Sequence, residues 1–152
     1  MRWLLWLALL LCGCSKFEGY SKTPYPDPIG VTTVCAGHRI TNDKEIKSYD
    51  WQECGILWLA DQAQSAASVL RCSRPITLGQ FLAYNDLAYN VGRASFCRSS
   101  VARMSRQGRV LKSCRNLARY VYARGKKLSG LVKRRAYYQK MCETNEWPDL
   151  PR

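Results

Sequence analysis

The pattern of apolar and polar residues along this 152-residue chain changes near residue 50. Residues 19–40 combine glycines and prolines with a β-branched run at residues 31–34, which predicts turns and short strands. Beyond residue 50, apolar residues recur at helical spacing, at Ile56, Ala60, Ala63, Ala67 and Leu70. The pattern therefore predicts an α+β fold, with a small β-containing N-terminal lobe, a larger helical C-terminal lobe and a cleft between them.

Local signals set the expected helix boundaries. Asp50 and Glu53 fit a capping box that opens a helix, and the sequence Ser-Arg-Pro at residues 73–75 ends it. Thr77 and Gln80 fit a second capping box. We expect helices over residues 77–90, 100–106, 111–124 and 130–142, followed by an irregular tail.

The N-terminus reads as a targeting segment. Met1 and Arg2 precede an apolar run at residues 3–14, the size of a signal-peptide hydrophobic region. As a helix this run spans about 18 Å, against roughly 30 Å for the core of a bilayer. We assign residues 1–14 to a signal or signal-anchor segment and expect residues 15–152 to form a single domain.

The charge of the chain is strongly positive. Lys and Arg number 24 against 11 Asp and Glu, a formal net charge of +13. Such a field favours encounter with a polyanion, which leaves nucleic acid, an anionic membrane, a carboxylate-rich cell wall or simply a solvated basic face. The basic residues concentrate at residues 93–135 without the aromatic interleaving of a single-strand binder, so we expect no nucleic-acid partner.

Eight cysteines accompany one histidine, His38, and no Cys-x-x-Cys pair occurs. Zinc sites use short ligand spacings, so we expect no metal. The even count behind an apolar N-terminus predicts disulfides formed in an oxidising compartment. For one bridge we expect Cys97–Cys114, joining two consecutive helices.

The candidate chemistry lies in Glu18, Asp27 and Thr33, spaced nine and six residues apart. One carboxylic acid and one carboxylate are what glycoside hydrolysis requires. Alternation along a strand lets Thr33 face the same cleft as Asp27. The spacing of the three residues resembles the catalytic signature of the phage-type lysozymes, the endolysins that cut peptidoglycan.

The resemblance extends along most of the chain. It includes Thr-Leu-Gly-Gln-Phe at residues 77–81, Tyr-Asn-Val-Gly at 89–92, Phe-Cys-Arg-Ser-Ser at 96–100 and the basic block at 122–135. It implies a lysozyme-like fold and a monomeric muramidase that hydrolyses the β-1,4 bond between N-acetylmuramic acid and N-acetylglucosamine. No metal or cofactor is implied. Departures from the family pattern include Ala36, Arg39-Ile40 and Arg124, which stands where a second glycine is usual.

By the same resemblance, Glu18 is the general acid, Asp27 is the ionised partner and Thr33 orients water or Asp27. Substrate-binding residues are not identified. The apolar residues 3–14, which alone could form a helix leading to Glu18, resemble the N-terminal anchor of the signal-anchor-release endolysins. This resemblance implies export to the periplasm or envelope of a Gram-negative host. It also implies a transient tether of residues 1–14 to the inner membrane before release.

Two rival functions stay open from the sequence. The chain could hold peptidoglycan without cutting it, or it could disrupt membranes through its basic C-terminal helices. A zymogram separates the first rival from a muramidase, and lysis that persists without Glu18 favours the second. His38 is expected to have a structural role with the backbone or an acidic partner, and Tyr137-Tyr138 are expected to pack in the core.

Overall fold

The computed structural model describes residues 21–27 and 30–146. Within these ranges the strands are β1 (Ser21–Pro26), β2 (Thr32–Cys35), β3 (His38–Arg39), β4 (Tyr122–Ala123) and β5 (Lys126–Lys127). The α-helices are α1 (Trp51–Cys72), α2 (Leu78–Val91), α3 (Arg93–Arg98), α4 (Ser100–Arg106), α5 (Val110–Asn116) and α6 (Ser129–Thr144). This content confirms the α+β class. The chain divides into two compact units, Met1–Asp61 and Gln62–Arg152.

The first unit contains a three-stranded antiparallel sheet with β2 in the middle. Val34 and Cys35 of β2 are buried together with Tyr49 and Cys54. A disulfide joins Cys35 to Cys54 and so ties the sheet to the first turn of α1. The sheet and the start of the helix therefore share one small core.

The second unit is helical and centres on α2, whose residues 83–88 are all buried. Helix α2 packs against α6. Gly79 makes this approach possible, because a side chain there would collide with the backbone carbonyl of Met141. The amide of Gly79 also donates to the Asn145 side chain at 2.8 Å. Tyr137 and Tyr138 of α6 are buried edge to face, which confirms their expected place in the core.

The first capping box is confirmed in both directions. Asp50 Oδ1 accepts from the Glu53 amide at 2.8 Å, and Glu53 Oε2 accepts from the Asp50 amide at 2.9 Å. Only one of the two hydrogen bonds expected in the second capping box is present. Thr77 caps the Gln80 amide, but the Gln80 side chain accepts from Ile76 one residue earlier.

The expected helix at residues 111–124 is wrong in its second half. Helix α5 ends at Asn116, a 3-10 turn follows at Leu117–Arg119, and β4 and β5 then form a hairpin. Arg124 and Gly125 both have positive φ, 48° and 77°, which a right-handed helix cannot accommodate. Helix α3 was not expected at all.

The expected Cys97–Cys114 bridge is also wrong, although disulfides are present. Cys97 pairs with Cys72 at the end of α1, and Cys114 pairs with Cys142 on α6. Cys114 is fully buried where α5 packs against α6, so its nearest partner comes from α6. The bridges therefore follow helix packing, which sequence spacing does not show.

The apolar residues that recur at helical spacing in α1 lie on its exposed side and not on its buried face. Ile56 and Leu70 are each 67% exposed, whereas Gln62, Ser65 and Ser68 are buried. Period alone identified the helix correctly and left its inward face undetermined. Within the described part of the chain, no helix combines the length and apolar character needed to cross a membrane.

Candidate functional site

Asp27 follows directly on β1 and is held by the turn that leads to β2. Its Oδ1 accepts from the Val31 amide at 2.8 Å, and its own amide donates to the Val31 carbonyl at 2.9 Å. Gly30 takes a positive φ of 78° and donates its amide to the Asp27 carbonyl at 2.8 Å. Backbone bonds on both sides of the residue thus set the direction of this half-buried carboxylate.

Thr33 lies in β2 and is only 3% exposed. It is the cross-strand partner of Tyr25, and its hydroxyl donates to the Tyr25 carbonyl at 3.2 Å. Tyr25 precedes Asp27 by two residues on β1. The structure therefore brings Asp27 and Thr33 together on one β-hairpin, while Glu18 lies outside the described residues.

His38 contacts an acidic residue, Asp61, as expected for a structural histidine. Its Nδ1 lies 2.8 Å from Asp61 Oδ2, and the two side chains are 18% and 23% exposed. His38 pairs with Val34 in the sheet, so the contact links β3 to α1. Sequence analysis missed Asp61, although it is the single acidic residue between Glu53 and Asp86.

Two arginines of the basic C-terminal block are neither solvated nor placed to bind a cell wall. Arg134 and Arg135 are 3% and 0% exposed, and both contact the buried carboxylate of Asp86. Arg135 also donates to Asn90 Oδ1 at 2.6 Å and to the Tyr120 carbonyl at 3.3 Å. Burial lowers the pKa of Arg135, and Asp86 opposes that shift. These residues stabilise the helical unit.

No three His, Cys, Asp or Glu side chains of the described residues converge as they would around a metal ion. The described part of the site offers a carboxylate and a hydroxyl on one hydrogen-bonded hairpin. A carboxylate so placed can hold water or attack an anomeric carbon.

Relatives of this chain come from bacteriophages. The SAR-endolysin of Enterobacteria phage P21 is 35% identical over 133 residues, covering 86% of this chain and 79% of the relative. The SAR-endolysin of Escherichia phage Mu is 34% identical over 119 residues, covering 78% of this chain and 69% of the relative.

Solved structures share the fold. The endolysin of Escherichia coli O157:H7 phage FAHEc1 matches with a TM-score of 0.76 at 22% identity, over 91% of this chain and 93% of that one. The muramidase domain of SpmX from Asticaccaulis excentricus matches with a TM-score of 0.74 at 23% identity, over 89% and 95%. The sequence model described as phage lysozyme matches residues 15–137, and on that match this chain belongs to the phage lysozyme family.

Proposed function

We propose that Glu18, Asp27 and Thr33 form the catalytic set of this chain. The chain is a glycoside hydrolase of the phage lysozyme family, an endolysin that hydrolyses the β-1,4 bond between N-acetylmuramic acid and N-acetylglucosamine in peptidoglycan. The observation that supports the site is the β1–β2 hairpin. In it the Val31 amide donates to the Asp27 carboxylate, and the Thr33 hydroxyl donates to the carbonyl of Tyr25, two residues before Asp27.

In the proposed reaction Glu18 gives its proton to the glycosidic oxygen as the bond to the anomeric carbon breaks. Asp27 stays ionised and faces the developing positive charge. It either takes a proton from the attacking water or bonds to the anomeric carbon before water releases the product. The two routes give opposite anomers, so the configuration of the fresh product distinguishes them.

The role proposed for Thr33 is restricted by its hydrogen bond. Its hydroxyl carries one proton, and that proton is donated to the Tyr25 carbonyl. Thr33 can therefore only accept from a water molecule. A water that donates one proton to Thr33 and one to Asp27 has a lone pair directed away from both.

We also propose that the enzyme works in the periplasm and reaches it through its apolar N-terminus. Residues 3–14 would tether the newly made chain to the inner membrane and then leave it. The relatives named SAR-endolysin support this route. Peptidoglycan glycan strands are then the macromolecular substrate of a monomer that needs no cofactor.

The deciding experiment is product analysis on purified peptidoglycan sacculi. Digestion followed by borohydride reduction should yield reduced N-acetylmuramic acid at the new ends. Reduced N-acetylglucosamine or a 1,6-anhydro end would contradict the proposed reaction, and release of no fragments would indicate a protein that binds the wall without cutting it.

The same assay tests Glu18. Glu18→Gln keeps the size of the side chain but cannot donate the acid proton, so the rate should fall by at least about 10²-fold. Glu146→Gln, a change of the same chemistry at an exposed residue two positions after the end of α6, should digest sacculi at the normal rate. Normal digestion by folded Glu18→Gln would remove Glu18 from the catalytic set.

A further inference from the structure

Positive charge is distributed very unevenly in this chain. Between Asp86 and Glu143 the sequence has fifteen Lys or Arg residues and no Asp or Glu. Arg134 and Arg135 are buried against Asp86, and the other thirteen are not buried. The second unit therefore presents an extended cationic surface with little acidic charge to neutralise it.

The β4–β5 hairpin carries three of these cations within four residues, Arg124, Lys126 and Lys127. Its base is anchored, since Val121 is buried and its carbonyl accepts from the Leu128 amide at 3.0 Å. Beyond this base every residue from 122 to 127 is exposed except Ala123, which is half-buried. No ion pair between described residues involves the cations at positions 124, 126 and 127. We call residues 122–127 the cationic tip.

The turn of the cationic tip contains an arginine where the backbone disfavours one. Arg124 has φ 48° and Gly125 has φ 77°, the left-handed pair of a two-residue hairpin turn. Glycine takes this conformation without steric conflict, whereas arginine loses free energy in it. The local backbone therefore favours glycine over Arg124, and a contact outside the fold is the better explanation for its charge.

We propose that the cationic tip binds the surface of an anionic phospholipid bilayer. Tyr122 is 61% exposed and lies directly across the hairpin from Lys127. An aromatic ring beside cations suits the headgroup layer, where tyrosine is favoured and Lys and Arg meet lipid phosphates. Peptidoglycan also offers carboxylates to the cations and sugar faces to the ring, so the experiment compares the bilayer with the cell wall.

The test is flotation of the full chain with vesicles. Vesicles of phosphatidylcholine alone measure binding through the apolar N-terminus, and an equal mixture with phosphatidylglycerol adds the anionic component. The triple variant Arg124→Gly, Lys126→Ser, Lys127→Ser should lose about fivefold in affinity per cation, roughly a hundredfold in all, and only for the anionic vesicles. Arg124→Gly alone should lose about fivefold while its melting temperature stays level or rises, which separates binding from folding.

The matched control removes three exposed cations of the second unit that lie outside the cationic tip, through Arg103→Ser, Arg109→Ser and Lys112→Ser. It should keep most of its binding to anionic vesicles. Equal losses in the two triple variants, or equal wild-type binding to both vesicle types, would overturn the proposal. Digestion of isolated sacculi that falls in the tip variant while its vesicle binding stays unchanged would assign the cationic tip to the cell wall instead. The sacculus assay contains no lipid, so its result does not depend on membrane binding. Failure of the membrane proposal is therefore distinguishable from failure of the muramidase function.

Discussion

Asp86 is a buried carboxylate that contacts two buried arginines. It is fully buried, its Oδ1 accepts from Arg134 Nε at 2.9 Å, and its Oδ2 accepts from Arg135. Burial raises the pKa of the neighbouring Tyr138 hydroxyl. Tyr138 therefore supplies no second negative charge to the two arginines. One buried anion thus balances two buried cations, with the acceptors of Asn90 and Tyr120 assisting.

We expect Asp86→Asn to lower the free energy of unfolding by about 3–5 kcal/mol, because it leaves two buried arginines without their anion. Urea denaturation followed by circular dichroism measures the loss. Asp43→Asn, the same substitution at an exposed position of a short 3-10 turn, should change stability little. A loss for Asp86→Asn no larger than that of the control would show that the cluster does not depend on this charge.

At the level of elements, the start of α1 depends on an ionised side chain. Glu53 accepts from Lys47 Nζ at 2.6 Å and from the Asp50 amide at 2.9 Å. These two bonds, that from Lys47 first, lower the pKa of Glu53 below its ordinary value of 4.5. A carboxylate whose pKa is depressed by folding stabilises the fold above its unfolded pKa, and the contribution is lost as pH falls through the folded pKa.

Glu53→Gln should therefore weaken the decline of melting temperature between about pH 6 and about pH 3, relative to the wild type. Lys47→Met should weaken it too, because it removes the larger cause of the shift while leaving Glu53 in place. Thermal melts across this range give the comparison. A decline as steep in both variants as in the wild type would show that the cap does not contribute to acid sensitivity.

The second element-level prediction concerns the bridge between α5 and α6. Replacing Cys114 and Cys142 with alanine should lower the free energy of unfolding by about 2–5 kcal/mol. Replacing Cys72 and Cys97 should lower the free energy of unfolding by an amount in the same range. The reduced wild type should be less stable than either variant, because each variant lacks one bridge and the reduced protein lacks them all. Peptide mapping of the oxidised protein checks the connectivity, and a peptide joining Cys97 to Cys114 would contradict it.

For the whole molecule, the open question is the fate of the apolar N-terminus. Glu18 follows residues 3–14 by only four positions, and a catalytic acid needs a fixed backbone. A stub of three or four residues cannot form a helix that would hold it. We therefore expect the active enzyme to retain residues 1–14.

Intact-mass spectrometry of the soluble, active protein measures this directly, and the mass should correspond to the full 17.4 kDa chain. A variant with a standard cleavable signal peptide placed before residue 15 provides the control. It should be exported but digest sacculi poorly. Full activity in a wild-type protein that lacks residues 1–14 would show ordinary signal cleavage.

The sequence by itself determined the features that depend on neighbouring residues. The capping box at Asp50, the end of α1 before Pro75 and the presence of strands before residue 40 were all correct. Each depends on hydrogen bonds or steric limits within a few residues, which any fold must satisfy. The placement of Asp27 and Thr33 on one hairpin was also accessible, because strand alternation and a short turn are local.

The tertiary structure decided what depends on residues distant in the chain. Periodicity found α1 but not its inward face, since Gln62 lies inside and Ile56 outside according to what packs against them. The partners of Cys114, Arg134 and His38 could not be predicted either. In each case the partner residue lies on another element, more than twenty residues away in the sequence. Sequence patterns record the preferences of single elements, whereas burial and pairing are properties of the packed arrangement.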